Sequence, residues 1–384
     1  MSNHSFFTPE EYDARLRRLR QAMAAQNLDG CLISVPENIY YLTGLDHFGY
    51  FAYHALLVPG QGDMVLIARA MEQATMDHFL VDTYFKGYGD SADRVAFTAQ
   101  SLREMGIKRG RLGLEKQSLF LPPIIPEGLT AALPELAQLD VSGLVDRLRQ
   151  TRSPQEIAYS RQAAGVAQAM MQAAIETAGA GVNEQEVAAE VQRAMALAGG
   201  EQPGFGPFIR STARLGQEHR YWEDYVLQPG DMLFVELAGC VRRYHAAMGR
   251  LLFIGEAPDG AQEMARLCLQ AFQDVICAMR PGALAKDVYR AWQDRVDAAG
   301  LSHYRRHHCG YLIGLGFPPS WVGGGDVVGL RHDSDLQLQP GMTFHVMSWL
   351  MDTGYGDYFV SDTALVTEEG CERLTTTSQQ LHIV

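Results

Sequence analysis

A single carboxylate, Glu236, sits in the apolar run FVELAGCV (residues 234–241). Taking an unpaired acid out of water is costly, so such a residue is either neutralised by a partner in the sheet or kept for chemistry. A carboxylate of this kind can attack an electrophilic amide or amidine carbon, or take a proton from water. Burial raises its pKa toward the working range, and a cationic substrate lowers it again. Side chains alternate between faces along a strand, which puts Phe234, Glu236 and Ala238 together. The same rule pairs His245 with Ala247, His345 with Met347, and Ser361 with Phe359 and Thr363, while Asp362 points away from Ser361. His345 and His245 could exchange protons near neutral pH, or be satisfied structural groups. Phe317 and Trp321 in GFPPSW are expected either to form an apolar wall able to make cation–π contact with a charged solute or, as is more usual for aromatics, to pack in the core. His307 and His308 of HHCG suggest a metal by composition, but adjacent histidines rarely converge on one ion and no second cluster pairs with them.

These residues need a scaffold. Thr8-Pro9-Glu10-Glu11 combines an N-cap, a first-turn proline and acids suited to the positive helix end, predicting a helix to about Gln26. CLISV (31–35), HALLVP (54–59) and MVLIA (64–68) read as strands, followed by a helix in EGLTAALPEL (127–136) and a strand around 137–141. This predicts an α/β domain over residues 1–150, ending at the polar connector LRQTRSP (148–154). Residues 151–384 open with helices at 155–178 and 183–198, then turn to strands and hairpins with helices at about 262–280 and 285–299. That order fits an α+β domain with a strongly bent antiparallel sheet. LQPGDMLFVE (227–236) and LQPGMTFHVM (338–347) each place a Pro-Gly turn before a strand, suggesting two similar halves.

Composition narrows the function. The chain's 384 residues exceed what one core normally holds. A net charge of −13 argues against nucleic acid and anionic membrane as partners. Six scattered cysteines without a CxxC pair suit reduced thiols better than disulfides or zinc. The N-terminus has no apolar signal core, and no run approaches the ~20 apolar residues of a membrane span. A soluble cytoplasmic protein is expected.

Six segments carry a resemblance. NIYYLTG (38–44), RSPQEIAYSRQAA (152–164), FVELAG with YHAAMGR, GYLIGLGFPPSW (310–321), LQPGMTFHVM and VSDTALVTEEG (360–370) resemble the pita-bread family. That family includes creatinase, aminopeptidase P, methionine aminopeptidase, prolidase and ectoine hydrolase. The resemblance runs over nearly the whole chain and implies an α/β N-terminal domain plus an α+β pita-bread C-terminal domain with a curved antiparallel sheet. The family's metallopeptidases hold two metals through two aspartates, a histidine and two glutamates. The resemblance puts those positions at Glu236, Ala247, Tyr311, Met347 and Ser361, of which only the first is a carboxylate. Alanine and methionine cannot supply the oxygen ligands of a dinuclear site, so neither metal nor cofactor is expected. ELAGC, GYLIGLGFPPSW and PGMTFHVM are more similar to ectoine hydrolase than to the peptidases. Two stretches depart from it: Trp321-Val322-Gly323-Gly324, where ectoine hydrolase has tryptophan-glycine-glutamate-arginine, and GPFIRSTARLGQEHRYWED (206–224).

The resemblance therefore implies a metal-independent hydrolase opening an amidine or amide C–N bond in a small zwitterionic compatible solute, most simply ectoine. Glu236 would be nucleophile or general base. Tyr311, standing where the family has a ligand histidine, would stabilise the oxyanion or merely fill volume. His345, or His219 at a substrate-contacting position of the family, would protonate the leaving nitrogen. His245, Trp321 and Phe317 would touch the substrate. Tyr50 and Tyr53, in an aromatic cluster with Phe51 and His54, would cap the neighbouring subunit's pocket in a homodimer or form an ordinary apolar loop cluster. Arg250 falls at a structural arginine, and Asp362 is expected to find a fold-stabilising partner. A creatinase-like amidinohydrolase, an osmolyte lyase and a non-catalytic solute-binding protein are the rival readings.

Overall fold

The computed structural model describes residues 6–323 and 327–384; the first five residues, read above as free of a signal core, and Gly324 of the divergent loop lie outside them. The chain forms two compact units that part between Gln150 and Thr151.

The first unit alternates helices and strands: α1 (Pro9–Ala25), β1 (Gly30–Ile33), α2 (Pro36–Thr43), β2 (Ala55–Pro59), β3 (Met64–Arg69), α3 (Gln73–Phe79), β4 (Thr83–Tyr88), α4 (Arg94–Glu104), β5 (Gly110–Leu114), α5 (Ile124–Ala132), β6 (Leu136–Asp140) and α6 (Leu144–Leu148). Thr8 caps α1 through its hydroxyl, with Pro9 in the first turn. Among the described residues the sheet runs β4-β3-β2-β1-β5-β6 and is mixed, with β2 antiparallel to both neighbours. The helix expected over 127–136 lies earlier, over Ile124–Ala132. Pro123 stands at its start, and Leu133, next to Pro134, leaves the helical region because proline's ring crowds the residue before it.

The second unit contains α7 (Pro154–Thr177), α8 (Glu184–Leu197), β7 (Phe208–Ser211), β8 (Met232–Val241), β9 (Tyr244–Phe253), α9 (Ala261–Ala278), α10 (Ala285–Ala298), β10 (Gly310–Leu312), β11 (Thr343–Leu350), β12 (Tyr358–Val366), β13 (Cys371–Arg373) and β14 (His382–Ile383). Capping boxes start α7 (Ser153 with Glu156) and α8 (Asn183 with Glu186), each satisfying two otherwise orphaned backbone donors. The curved antiparallel sheet runs β10-β11-β12-β9-β8-β7, with β13 added on β12 and β14 on β9. The order helix, helix, edge strand, hairpin thus occurs twice, and the two edge strands end up at opposite sides of the sheet. Pro229-Gly230 precedes β8 and Pro340-Gly341 precedes β11, with glycine φ values of 88° and 89°. Such a turn needs a residue at positive φ after the proline, which glycine adopts without a Cβ penalty.

Alternation decides what each face of the sheet does. Leu233, Val235 and Leu237 of β8 pack with Val166, Met170 and Val187 of α7 and α8. On β11 the even positions turn toward α9 and α10, where the Trp292 indole N–H donates to Ser348 Oγ at 3.0 Å. The opposite faces of β8 and β11 carry Glu236 and Met347, which occupy matching places in the two repeated segments. Apolar side chains buried beneath the helices stabilise the fold by about 25 cal/mol per Å². The uncovered faces are left for a cavity.

Candidate active site

Strand register assembles the floor of the site. Glu236 on β8 lies opposite Phe208 on β7 and Gly249 on β9. Gly249 in turn pairs with Ser361 on β12, and Ser361 with Met347 on β11. Residues far apart in sequence thus form one row across the sheet, with no side chain at its centre. A Cβ at Gly249 would collide with the Phe359 ring and stand 2.9 Å from Ser361 Oγ, so glycine is required for Phe359 to pack there.

Above this row lies a cavity of about 430 Å³. Its walls are aromatic, from Phe205, Phe208, Tyr311, Trp321 and Trp349. Its charged lining is Glu218, Glu236, Arg306 and Arg331, with imidazoles from His219, His307 and His308. Glu236 has 14 % of its side chain exposed, enough for a small molecule to reach it. Burial pushes its carboxyl up to about 7, opposed by the nearby Arg210 charge, assisted by Glu218, and opposed again by Arg306.

His345 lies just behind this surface. Its Nε2 is 2.8 Å from Ser361 Oγ and 3.8 Å from Glu236 Oε1. Its Nδ1 is 2.9 Å from the Tyr311 hydroxyl, which accepts the Trp321 indole N–H at 3.0 Å. Burial, reinforced by His308, drives the His345 pKa down to about 3, so the ring is neutral. Indole N–H can only donate, so the Tyr311 oxygen accepts it and its own proton remains available. The chain then has two settings. Either Tyr311 donates to Nδ1 and Nε2–H faces Ser361 and Glu236, or Ser361 donates to Nε2, Nδ1–H donates to Tyr311, and the phenol proton is released for another acceptor. Burial and the Glu236 charge both raise the Tyr311 pKa, which keeps the phenol protonated.

The structure places the other expected residues as follows. His219 and Trp321 line the cavity, with the His219 ring stacked on Phe205 at 6.1 Å. His245 does not fit its expected substrate contact. It is fully buried, its Nε2 accepts the Gly204 N–H at 2.9 Å, and its Nδ1–H donates to the Gly314 carbonyl at 3.0 Å. Phe317 is likewise withdrawn, buried beneath the Arg243 guanidinium at 5.4 Å. In the first unit, the Tyr53 hydroxyl pairs with Thr98 Oγ1 at 3.0 Å inside the core, so its side chain cannot cap a pocket. Tyr50 is also mostly buried there, edge-on to Phe120 at 5.4 Å. Arg250 and Asp362 form a fully buried ion pair at 3.0 Å, with Thr375 and Gln379 also donating to Asp362.

Sequence reasoning missed Phe208, Glu218, Arg306, His308 and Trp349. Alternation along β11 would have found Trp349, two residues beyond Met347 on the same face. Arg306 and His308 precede β10 in an irregular segment, where no periodicity marks a facing direction.

The donor set at the floor is one carboxylate, one hydroxyl, one thioether and a glycine. Among the described residues no three His, Cys, Asp or Glu side chains converge so as to hold a metal ion. These residues do not fit a pair of hard cations, which demand several oxygen ligands and a bridging carboxylate. No helix among the described residues is long and apolar enough to cross a membrane.

Comparison with known proteins agrees with this architecture. Residues 15–151 match the creatinase/prolidase N-terminal domain, and residues 158–368 match metallopeptidase family M24. An uncharacterised hydrolase/peptidase of Sinorhizobium fredii is 31% identical over 98% of both chains. The ectoine hydrolase of Halomonas elongata is 29% identical, also over 98% of both. The solved Xaa-Pro dipeptidase of Bacillus anthracis superposes with a TM-score of 0.84 at 22% identity, covering 97% of this chain and 100% of its own. The chain is therefore a two-domain pita-bread protein and belongs to metallopeptidase family M24.

Proposed function

We propose that this chain is a metal-independent hydrolase that opens an amidine or amide C–N bond in a small zwitterionic solute, ectoine being the simplest candidate, and that it acts as a cytoplasmic homodimer. The observation that carries the reading is a single buried acid, Glu236, held near neutrality at the floor of a small aromatic cavity. Similarity to an ectoine hydrolase over the full length supports the substrate class. The ligand-poor surroundings of Glu236 favour side-chain chemistry over a two-metal centre.

With a pKa near the working pH, Glu236 can act at either stage of hydrolysis. As a base it takes a proton from water while the water oxygen bonds to the amidinium carbon. As a nucleophile its own oxygen forms that bond, and water later cleaves the ester-like intermediate. In both routes the carbon becomes tetrahedral, the C–N bond breaks with its electron pair going to nitrogen, and that nitrogen receives a proton, from Glu236 in the base route and from solvent through His219 in the nucleophile route. A cyclic amidine thereby gains one water and becomes an amide and an amine. Tyr311 is the donor for the tetrahedral species, since the second setting of the Ser361–His345–Tyr311 chain frees its proton. His345 stays neutral and sets the polarity of this chain. The aromatic walls and the cavity volume of about 430 Å³ favour a compact substrate over longer peptides.

The test is incubation of purified protein with ectoine and related cyclic amidines, following the gain of one water by mass spectrometry and NMR. Parallel samples are dialysed against chelator and assayed for metal content. Turnover that survives metal removal and disappears in Glu236→Ala is expected. No turnover of any cyclic amidine, or turnover that needs stoichiometric metal, would overturn the reading. Binding without turnover would make the chain a solute-binding protein.

A further inference from the structure

Arg306 is a poorly satisfied cation on the cavity wall. A guanidinium carries five N–H donors. The buried Nε of Arg306 has no partner, and its NH1 reaches Glu218 at 3.4 Å, longer than the roughly 2.7–2.9 Å of charge-assisted bonds. No other hydrogen bond to this side chain is present among the described residues. Buried Arg250 is the contrast: it donates to the carbonyls of Gly249, Ser361, Thr377 and Ser378 and to Asp362. Arg306 is nonetheless ordered by packing, its guanidinium lying 4.6 Å from the Trp349 ring centroid. Its side chain is 17 % exposed, and it lines the cavity.

Arg306 also lies close enough for its charge to act on Glu236, yet the two form no ion pair among the described residues. Among its charged groups the cavity thus sets Arg306, whose ion pair with the half-exposed Glu218 is long at 3.4 Å, near Glu236, with which it does not pair, and aromatic rings surround both. A ligand complementary to that arrangement is cationic at one end and anionic at the other. Arginine stacked on an indole keeps its planar fork available for bidentate bonds to a carboxylate.

We propose that Arg306 anchors the substrate's carboxylate, held by Trp349, and so selects zwitterions over plain cations. This rests on the small-solute reading above and adds a specificity-determining residue to it.

The experiment measures binding by calorimetry in the full-length chain carrying Glu236→Gln, which prevents turnover. The probes are ectoine, creatine and glycine betaine, each against its own carboxamide, which keeps shape and removes the negative charge. At least one carboxylate should bind about ten- to a hundredfold more tightly than its carboxamide, the range set by charge-assisted hydrogen bonds. Adding Arg306→Gln should abolish that preference and leave carboxamide affinity unchanged. Arg306→Lys should restore only part of it, lacking the planar fork. The proposal is overturned if no probe shows the preference, if it survives Arg306→Gln, or if carboxylate and carboxamide weaken equally, which marks a structural role. The two readings fail separately. Arg306-dependent preference for creatine or betaine, with ectoine not turned over, sinks the ectoine assignment and keeps the anchor. Ectoine turnover without that preference does the reverse.

Discussion

Replacing Glu236 by glutamine should stabilise the protein while sharply lowering its activity. The substitution keeps the shape of the side chain and removes its capacity to ionise. Burial raises the carboxyl from 4.5 to about 7, so at pH 5–7 the folded state holds a proton that the unfolded chain has released. The contribution of Glu236 to stability therefore falls as pH rises from 4.5 to 7, and above 7 the folded state carries the full cost of a buried carboxylate. A shift of that size corresponds to about 3 kcal/mol. Glu236→Gln never bears this cost. Its denaturation midpoint in urea should match the wild type near pH 4, move ahead between pH 5 and 7, and stay about 3 kcal/mol ahead at pH 8. Activity toward the substrate should drop by about 10²–10⁴-fold, the usual yield of a positioned acid–base group. Parallel stability curves for the two proteins across this range would refute the claim that burial controls Glu236. Unchanged turnover would refute its catalytic role.

His345 should remain neutral throughout: its ring resonances in ¹⁵N spectra, assigned by their loss in His345→Gln, should not titrate between pH 5 and 8. Because burial lowers the pKa values of His345 and His245 below 6.5, to about 3 and about 4, the unfolded chain takes up protons first on acidification. With buried His47, His54 and His308 lowered in the same direction, stability should fall as pH drops below 6.5, visible as an earlier urea midpoint at pH 5 than at pH 6.5 in Glu236→Gln, where the opposing effect of Glu236 is absent and that of buried Glu115 is outweighed. Tyr311→Phe removes the phenol between Trp321 and His345 and should cost about 1–3 kcal/mol in the same unfolding assay while lowering kcat more than it raises KM. Asp362→Ala strands the buried Arg250 charge and should destabilise by about 3–5 kcal/mol, with loss of soluble folded protein as the visible consequence.

Much of this molecule was legible without coordinates. The α/β then α+β order follows from hydrophobic periodicity and from the cap at Thr8, because these are local properties of the backbone; the capping boxes at Ser153 and Asn183 were as local and went unread. Alternation put Glu236 on the face opposite Val235 and turned Asp362 away from Ser361, because the side-chain period of a strand is two. The helix expected over 127–136 lies at Ile124–Ala132 because Pro123 at its start and Pro134 beyond its end bound it, which the apolar pattern does not show.

What one sequence could not decide was which faces remain uncovered and which strands become neighbours. His245 and His345 look alike in their strands, yet backbone groups of Gly204 and Gly314 close around the first, while the second meets Tyr311, Ser361 and Glu236. Phe317 and Trp321 lie four residues apart in one loop, and only the second borders the cavity. Arg306 joins the site through an irregular segment that carries no period to read. By itself the sequence determined that one acid stands alone in a buried strand, since composition and period are written residue by residue. Only the tertiary structure decided what surrounds that acid, because long-range strand pairing, set by the packing of whole helices and hairpins, brings residues from 208 to 361 into one row.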